Sequence, residues 1–230
     1  MSDPREVVRE MTANNVAWTP LRDVGTWYGG GTPSKSVREY WENGDIPWLS
    51  PKDMSADILT ATEDHIAAKA LEKSTVRLVP AGSIAFVVRS NVLRRRLPIA
   101  LVPFAATLNQ DMRAVVPRDG IVVEYLAQVC QARANAILAI AGRADGSMAA
   151  IQSKALLDFE VPIPPVAAQR AIVTVLDRYS YLQAELEAEL ESELKARRQQ
   201  YAYHRDSILT FSRERERESP VAPDERSRNV

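Results

Sequence analysis

A single cysteine and two histidines are all that 230 residues offer in thiol and imidazole chemistry. Cys130 has no second cysteine to pair with. Its surroundings, YLAQVCQARANAILAI, are apolar and helical in pattern, so it reads as a small buried hydrophobe. His65 and His204 lie far apart and lack ligand spacing, which argues against a metal. No apolar run approaches the roughly 18 to 20 residues that cross a bilayer, and the N-terminus, MSDPREVVRE, lacks the basic-then-apolar order of a signal peptide. The chain is therefore expected in the cytoplasm, with no membrane partner. An excess of positive charge is missing too: 29 Lys and Arg face 30 Asp and Glu, and residues 1–165 hold 18 basic and 18 acidic side chains. Proteins that grip phosphate backbones usually carry a basic excess, so any surface facing DNA has to be a local patch.

Catalytic patterns are absent as well. Gly29-Gly30-Gly31-Thr32 has the glycine content of a phosphate cradle, but no Lys-Ser/Thr pair follows at P-loop spacing, and it reads as a flexible turn. A methyltransferase needs a glycine-rich turn after a strand and a polar residue before Pro-Pro and an aromatic. Ile163-Pro164-Pro165-Val166 has neither the polar residue nor the aromatic. A metal-dependent nuclease needs two carboxylates and a lysine around one strand, and no such arrangement stands out.

What the sequence does contain is a change of texture. Residues 1–17 form a lead-in in which Val7, Val8 and Met11 suit one or two helical turns. From Trp18 to Pro165 the chain is punctuated by Pro and Gly, with short β-branched or aromatic runs such as VRLVP, GSIAFVVRS and MRAVVP between them. That pattern predicts an α/β (α+β) domain over 18–165 with several short strands. Within it, Glu124 to Ala141 carries apolar residues at helical spacing.

The boundary falls at Val161-Pro162-Ile163-Pro164-Pro165, where prolines forbid continuation of a helix or inner strand, and Pro165 suits the first position of a new helix. No Gly or Pro follows until Pro220. Ile172, Leu176, Tyr179, Leu182, Leu186, Leu190 and Leu194 step by three and four, and Tyr201 and Ile208 continue the stripe. One long helix is expected over 166–212, far longer than one domain needs. Glu185, Glu187, Glu189, Glu191 and Glu193 give way to Lys195, Arg197 and Arg198, an order that makes an antiparallel partner of the same sequence charge-complementary. The expected arrangement is an antiparallel coiled coil in a dimer, against the alternative of a lone helix folded back on its own domain. Residues 213–230 alternate Arg and Glu, then turn Pro- and Ser-rich, as a flexible tail does.

Several segments in order carry a resemblance. They are Trp18 with Leu21-Arg22-Asp23-Val24; Gly30-Gly31-Thr32-Pro33-Ser34; Tyr40-Trp41 with Gly44-Asp45-Ile46-Pro47-Trp48; Arg89-Ser90; Asn109-Gln110-Asp111; the proline boundary; Gln169 with Ile172, Val173 and Leu176-Asp177; and Arg197-Arg198-Gln199-Gln200-Tyr201. Over residues 18–212 the chain resembles the specificity subunit of type I restriction-modification systems. The resemblance implies a non-catalytic target recognition domain that reads half of a split site in double-stranded DNA, followed by a helical spacer. Full-length members carry two of each, and this sequence has one, like the half-length form. The implied partners are a second copy, methyltransferase (modification) subunits and a restriction translocase subunit. S-adenosylmethionine, ATP and Mg are expected on those partners, with no cofactor on this chain. Ala168 departs from the family, which commonly has an acidic residue before the glutamine.

Base reading needs Arg or Lys for guanine and Asn or Gln for adenine. Arg94-Arg95-Arg96, following Arg89-Ser90-Asn91, is the densest basic cluster and the first candidate for DNA contact; the bland alternative is a solvated loop. Lys35, Arg38 and Lys52 lie near Pro-rich turns and suit phosphates, and Arg143 and Ser147 sit in the polar break AGRADGSMAA. Asn109-Gln110-Asp111 belongs to the shared signature. Residues common to members with different targets do not distinguish those targets, so it reads as a structural turn. Trp18, Trp27, Trp41 and Trp48 read as core. Two rival functions stay open: an enzyme acting on DNA with an unrecognised site, and a coiled-coil scaffold that binds only proteins.

Overall fold

In a computed structural model, residues 16–143 and 147–210 are described. Most of the lead-in and all of the tail expected from the sequence lie outside them. The chain divides into two compact units between Leu176 and Asp177.

The first unit is a mixed α/β domain built on short strands. Ser83–Val87 (β5) is buried at every position, as a strand covered on both faces must be. It is flanked by Ile99–Val102 (β6) and Met112–Pro117 (β8), and Gly25–Gly29 (β2) extends the sheet beyond β8, all antiparallel. A second sheet places Ile46–Leu49 (β3) between Asp64–Ile66 (β4), antiparallel, and Thr107–Leu108 (β7), parallel. Two-stranded ladders join Ala17–Pro20 (β1) to Glu160–Ile163 (β11) and Gly142–Arg143 (β9) to Ala150–Ile151 (β10). The β1–β11 ladder brings the start and end of the domain side by side. Its prolines are tolerated because every strand of a two-stranded ladder is an edge.

Helices Val123–Ala132 (α2) and Ala134–Ala141 (α3) cover this core, with the short helices Ala68–Lys73 (α1) and Ser153–Asp158 (α4) at its margins. The helical run expected from Glu124 to Ala141 is thus interrupted at Arg133, whose backbone leaves helical values (φ −99°, ψ 5°). Its guanidinium lies 4.8 Å from the Trp18 ring centre, a cation–π contact. Trp18 is 53% exposed, unlike the core role read from the sequence. Trp27 packs on Phe86 and Trp41 stands edge-on to Trp48. The main core joins Leu21, Leu49, Ile84, Phe86, Met112 and Leu126, and a smaller cluster gathers Trp48, Ile66, Ala70 and Val76. Cys130 is buried, and burial pushes its thiol up to about 12.

The long helix, Val166–Leu209 (α5), begins at the expected residue 166, with Pro165 just ahead of it. Pro165 accepts from the Ala168 and Gln169 amides instead of forming the first helical residue. Gln169 is fully buried, and its side chain is satisfied on three sides. Oε1 accepts from the Val122 amide at 2.8 Å, and Nε2 donates to the carbonyls of Gly120 and Pro164 at 3.1 and 2.8 Å. It stitches the first turn of α5 to the loop before α2.

In the second unit, Asp177–Leu209 is uninterrupted helix, and every residue of it but Ala202 is exposed. At 1.5 Å per residue the whole of α5 is about 66 Å long. Tyr179, Leu182, Leu186, Leu190, Leu194, Tyr201 and Ile208 are between 47% and 72% exposed.

Candidate nucleic-acid interface

Four loops that are distant in sequence meet at one margin of the first domain. The first is the glycine segment after β2. Gly30 donates to the Met112 carbonyl and Gly31 to that of Leu108, and a Cβ at Gly30 would overlap the Asn109 carbonyl. The segment read as a flexible turn is therefore a fixed crossing, in which glycine is required because two backbones touch. Thr32 Oγ1 bonds Gln110 Oε1 across it.

The second loop is the turn Asn109–Asp111. Asn109 Oδ1 accepts from the Asp111 amide at 2.7 Å, a local side-chain turn that fixes Asp111 before β8 begins. The Asp111 carbonyl accepts from Val88 and Arg89, and its carboxylate takes Nε of Arg89 at 2.5 Å. Arg89 is half exposed and Asp111 mostly covered, so the carboxylate anchors the arginine. That is the only hydrogen bond of the Arg89 guanidinium among the described residues.

The third loop is Arg89 to Arg96. The Ser90 hydroxyl accepts from the Val92 amide at 3.3 Å and caps a 3-10 turn over Asn91–Arg94. Asn91, Arg94, Arg95 and Arg96 are exposed, and Arg96 reaches back to the Met54 carbonyl. The fourth is the β9–β10 region: Arg89 bridges Ala150, Ala150 pairs with Arg143, and Ser90 donates to the Ala149 carbonyl. Arg143 and Ser147 are exposed there. Backbone contacts thus bring Arg89 and Ser90 beside Arg143 and the stretch that follows Ser147, with Asn91, Arg94 and Arg95 on the adjoining turn.

Lys35, Arg38 and Lys52 lie on other turns of the domain. Lys35 and Arg38 are exposed beside the small Trp48 cluster, where the Trp41 indole donates to the Ser34 carbonyl. Lys52 is 3.0 Å from both Asp64 and Glu63, and hydrogen bonds to those carboxylates raise its pKa above the ordinary lysine value. With two acids on one base this corner is net negative, a poor grip for a phosphate. Sequence reasoning had no means of finding that pairing or the Arg89–Asp111 anchor, because each joins loops far apart along the chain. Among the described residues no cluster of His, Cys, Asp and Glu is arranged to hold a metal, and no helix is long and apolar enough to cross a membrane.

Comparison with known proteins agrees with this architecture. Residues 15–196 match the family model described as the type I restriction modification DNA specificity domain. The chain is 43% identical over 207 residues to the specificity subunit of the type I restriction enzyme EcoR124I/EcoR124II of Escherichia coli, which is 90% of this chain and 51% of that relative. In fold it is similar to a chain solved in work on complex assembly and conformational transition of the type I R-M system. That match has a TM-score of 0.64 at 20% identity and covers 90% of this chain and 51% of the other. It is also similar to the HsdS subunit from Thermoanaerobacter tengcongensis, with a TM-score of 0.53 at 18% identity, over 80% of this chain and 44% of that one. The chain spans about half the length of the relatives it matches.

Proposed function

Because the chain belongs to the type I restriction-modification DNA specificity family, we propose that it reads one half of a split DNA site and that two copies, paired through α5, read the whole. The observation that carries the pairing is the leucine and tyrosine stripe of the second unit, left exposed over some eight turns. Within that unit the helix has only weak internal support, from pairs such as Gln183–Glu187 and Arg197–Glu193. Each such pair contributes about 0.2–0.5 kcal/mol, so a helix of this length gains its stability from a partner. Antiparallel pairing sets two identical readers at opposite ends of the pair about a two-fold axis across it, so that each can take one half of a split site. The expected target is therefore bipartite and symmetric.

The rim from Arg89 to Arg96 with Arg143 and Ser147 is the surface that faces DNA in this reading; Lys35 and Arg38 supply outlying phosphate contacts. The domain boundaries are those of 18–165 for recognition and 166–212 for the spacer. Methyl transfer from S-adenosylmethionine and ATP- and Mg-dependent cleavage belong to the modification and restriction subunits that dock on the pair. Co-expression with neighbouring modification subunits, followed by mapping of methylated positions, tests the proposal. Methylation at a two-part inverted repeat, moved or abolished by substitutions in the rim, is expected. Methylation by the isolated chain, or a complex whose DNA binding ignores both salt and sequence, contradicts it.

A further inference from the structure

We infer that two copies of α5 pair antiparallel about a two-fold axis that passes beside Leu190. The inference rests on the pairing proposed above and adds its register. In the second unit Tyr179, Leu186, Leu190, Leu194 and Tyr201 follow at gaps of seven, four, four and seven, with Leu182 about 80° round from Leu190 at the edge of the stripe. These five positions are a palindrome in spacing and in residue type, extended one step each way by Ile172 and Ile208; Leu176 and Leu182 fall outside it, with His204 and Arg198 at their mirror positions. At 100° per residue the palindromic positions all project within about 40° of the direction of Leu190, on a face they share with Leu176, Gln183, Arg197 and His204.

An antiparallel pair about a two-fold places residue i against residue 380 − i when the axis lies at 190. Leu190 then meets Leu190, Leu186 meets Leu194, Tyr179 meets Tyr201, and Ile172 meets Ile208. These four layers match like with like, while on the same face Leu176 meets His204 and Gln183 meets Arg197. In heptad terms the positions before the axis are d and those after it are a, the a-against-d layering of antiparallel coils, and the four–four step at Leu190 is where the two halves join. A helix evolved to pack on a different helix, or back on its own domain, has no reason to be symmetric about its middle. A helix that meets itself does.

Charge favours another register, and the two can be weighed. Setting Glu189 against Arg198 moves the axis between Glu193 and Leu194, which places Leu194 against a carboxylate and Leu190 against Arg197. In the palindromic register Glu187, Glu189, Glu191 and Glu193 instead crowd the axis from both copies. Like charges on exposed flanks are screened and cost far less than the burial of leucine pairs contributes, so the apolar register prevails. A signature follows: salt relieves the crowded carboxylates and does not weaken the dimer.

The test is disulfide trapping in the full chain carrying Cys130→Ala, which removes the native thiol. Leu190→Cys is expected to form a covalent dimer under mild oxidation. Tyr179→Cys alone is not, since its copy lies about 33 Å away along the rods, but Tyr179→Cys mixed with Tyr201→Cys is expected to link. The dimer should hold, or tighten several-fold, as salt rises from about 0.05 to 0.5 M. Sedimentation of the same samples separates the outcomes. A dimer that links at Glu193→Cys and not at Leu190→Cys, or that weakens with salt, overturns the register and leaves the pairing standing. A monomer overturns both.

Discussion

Replacing Gln169 by leucine isolates the contribution of one buried amide. The side chain is fully buried and bonds the Val122 amide and the carbonyls of Gly120 and Pro164. Leucine fills nearly the same volume, so the cost comes from polar groups left without partners. Gly120 is exposed and its carbonyl turns to water at little cost. Val122 is half-buried and Pro164 buried, and stranding a buried donor or acceptor costs about 1–3 kcal/mol each, or about 2–6 kcal/mol together. For a domain of this size each kcal/mol lowers the melting temperature by about 2–4 °C, so a fall on the order of 10 °C is expected. Tryptophan fluorescence is the assay, because all four tryptophans lie between Trp18 and Trp48 and report the domain without the free helix. Gln169→Glu supplies the control. It keeps an acceptor for Val122 but sets a carboxylate against two carbonyls, and should destabilise at least as much as leucine. A Gln169→Leu protein melting within a degree of wild type would refute the reasoning.

Three further outcomes are expected. Gly30→Ala should lose most folded protein, seen as insoluble expression or an early melt, since its methyl would overlap the Asn109 carbonyl. Cys130 keeps its proton in the fold, where burial raises it to about 12, and releases it near 8.5 when unfolded. The stability this provides is whole below about pH 8.5 and is lost as pH rises toward 12. Cys130→Ala should thus show less alkaline loss than wild type, and a thiol reagent should label the native chain only after denaturation. Arg95→Ala and Arg143→Ala should each weaken DNA binding and flatten its dependence on log salt by roughly 0.9, measured by titration of a fluorescent duplex.

The long helix was legible because its signals are local: two terminal prolines, no Gly or Pro inside, and one repeated spacing. The expected span of 166–212 and the observed Val166–Leu209 agree at the start, and residues 211 and 212 lie outside the described ones. The short strands were legible as texture but not as partners. Trp48 lies beside Thr107 in a parallel pair, a juxtaposition that no local pattern announces. The rim shows the same limit. Arg89, Arg95 and Arg143 were each readable as basic loop residues, whereas their convergence depends on the Arg89–Ala150 bridge. Gly30 was misread as slack because glycine suits both a free turn and a tight crossing, and only the approach of Asn109 distinguishes them. Gln169 did leave a trace. An amide among apolar residues in the first turn after a double proline is a poor surface choice, and its three bonds supply the reason.

Reading a split site requires two chains to join through the bare stripe of α5. Sedimentation equilibrium of the intact chain beside Leu186→Glu/Leu190→Glu measures this directly. Twice the mass of one chain for the wild type, one chain for the variant, and an unchanged tryptophan-detected melt in both is the result expected. A wild-type chain that stays single at every concentration, alone and with DNA, would contradict it.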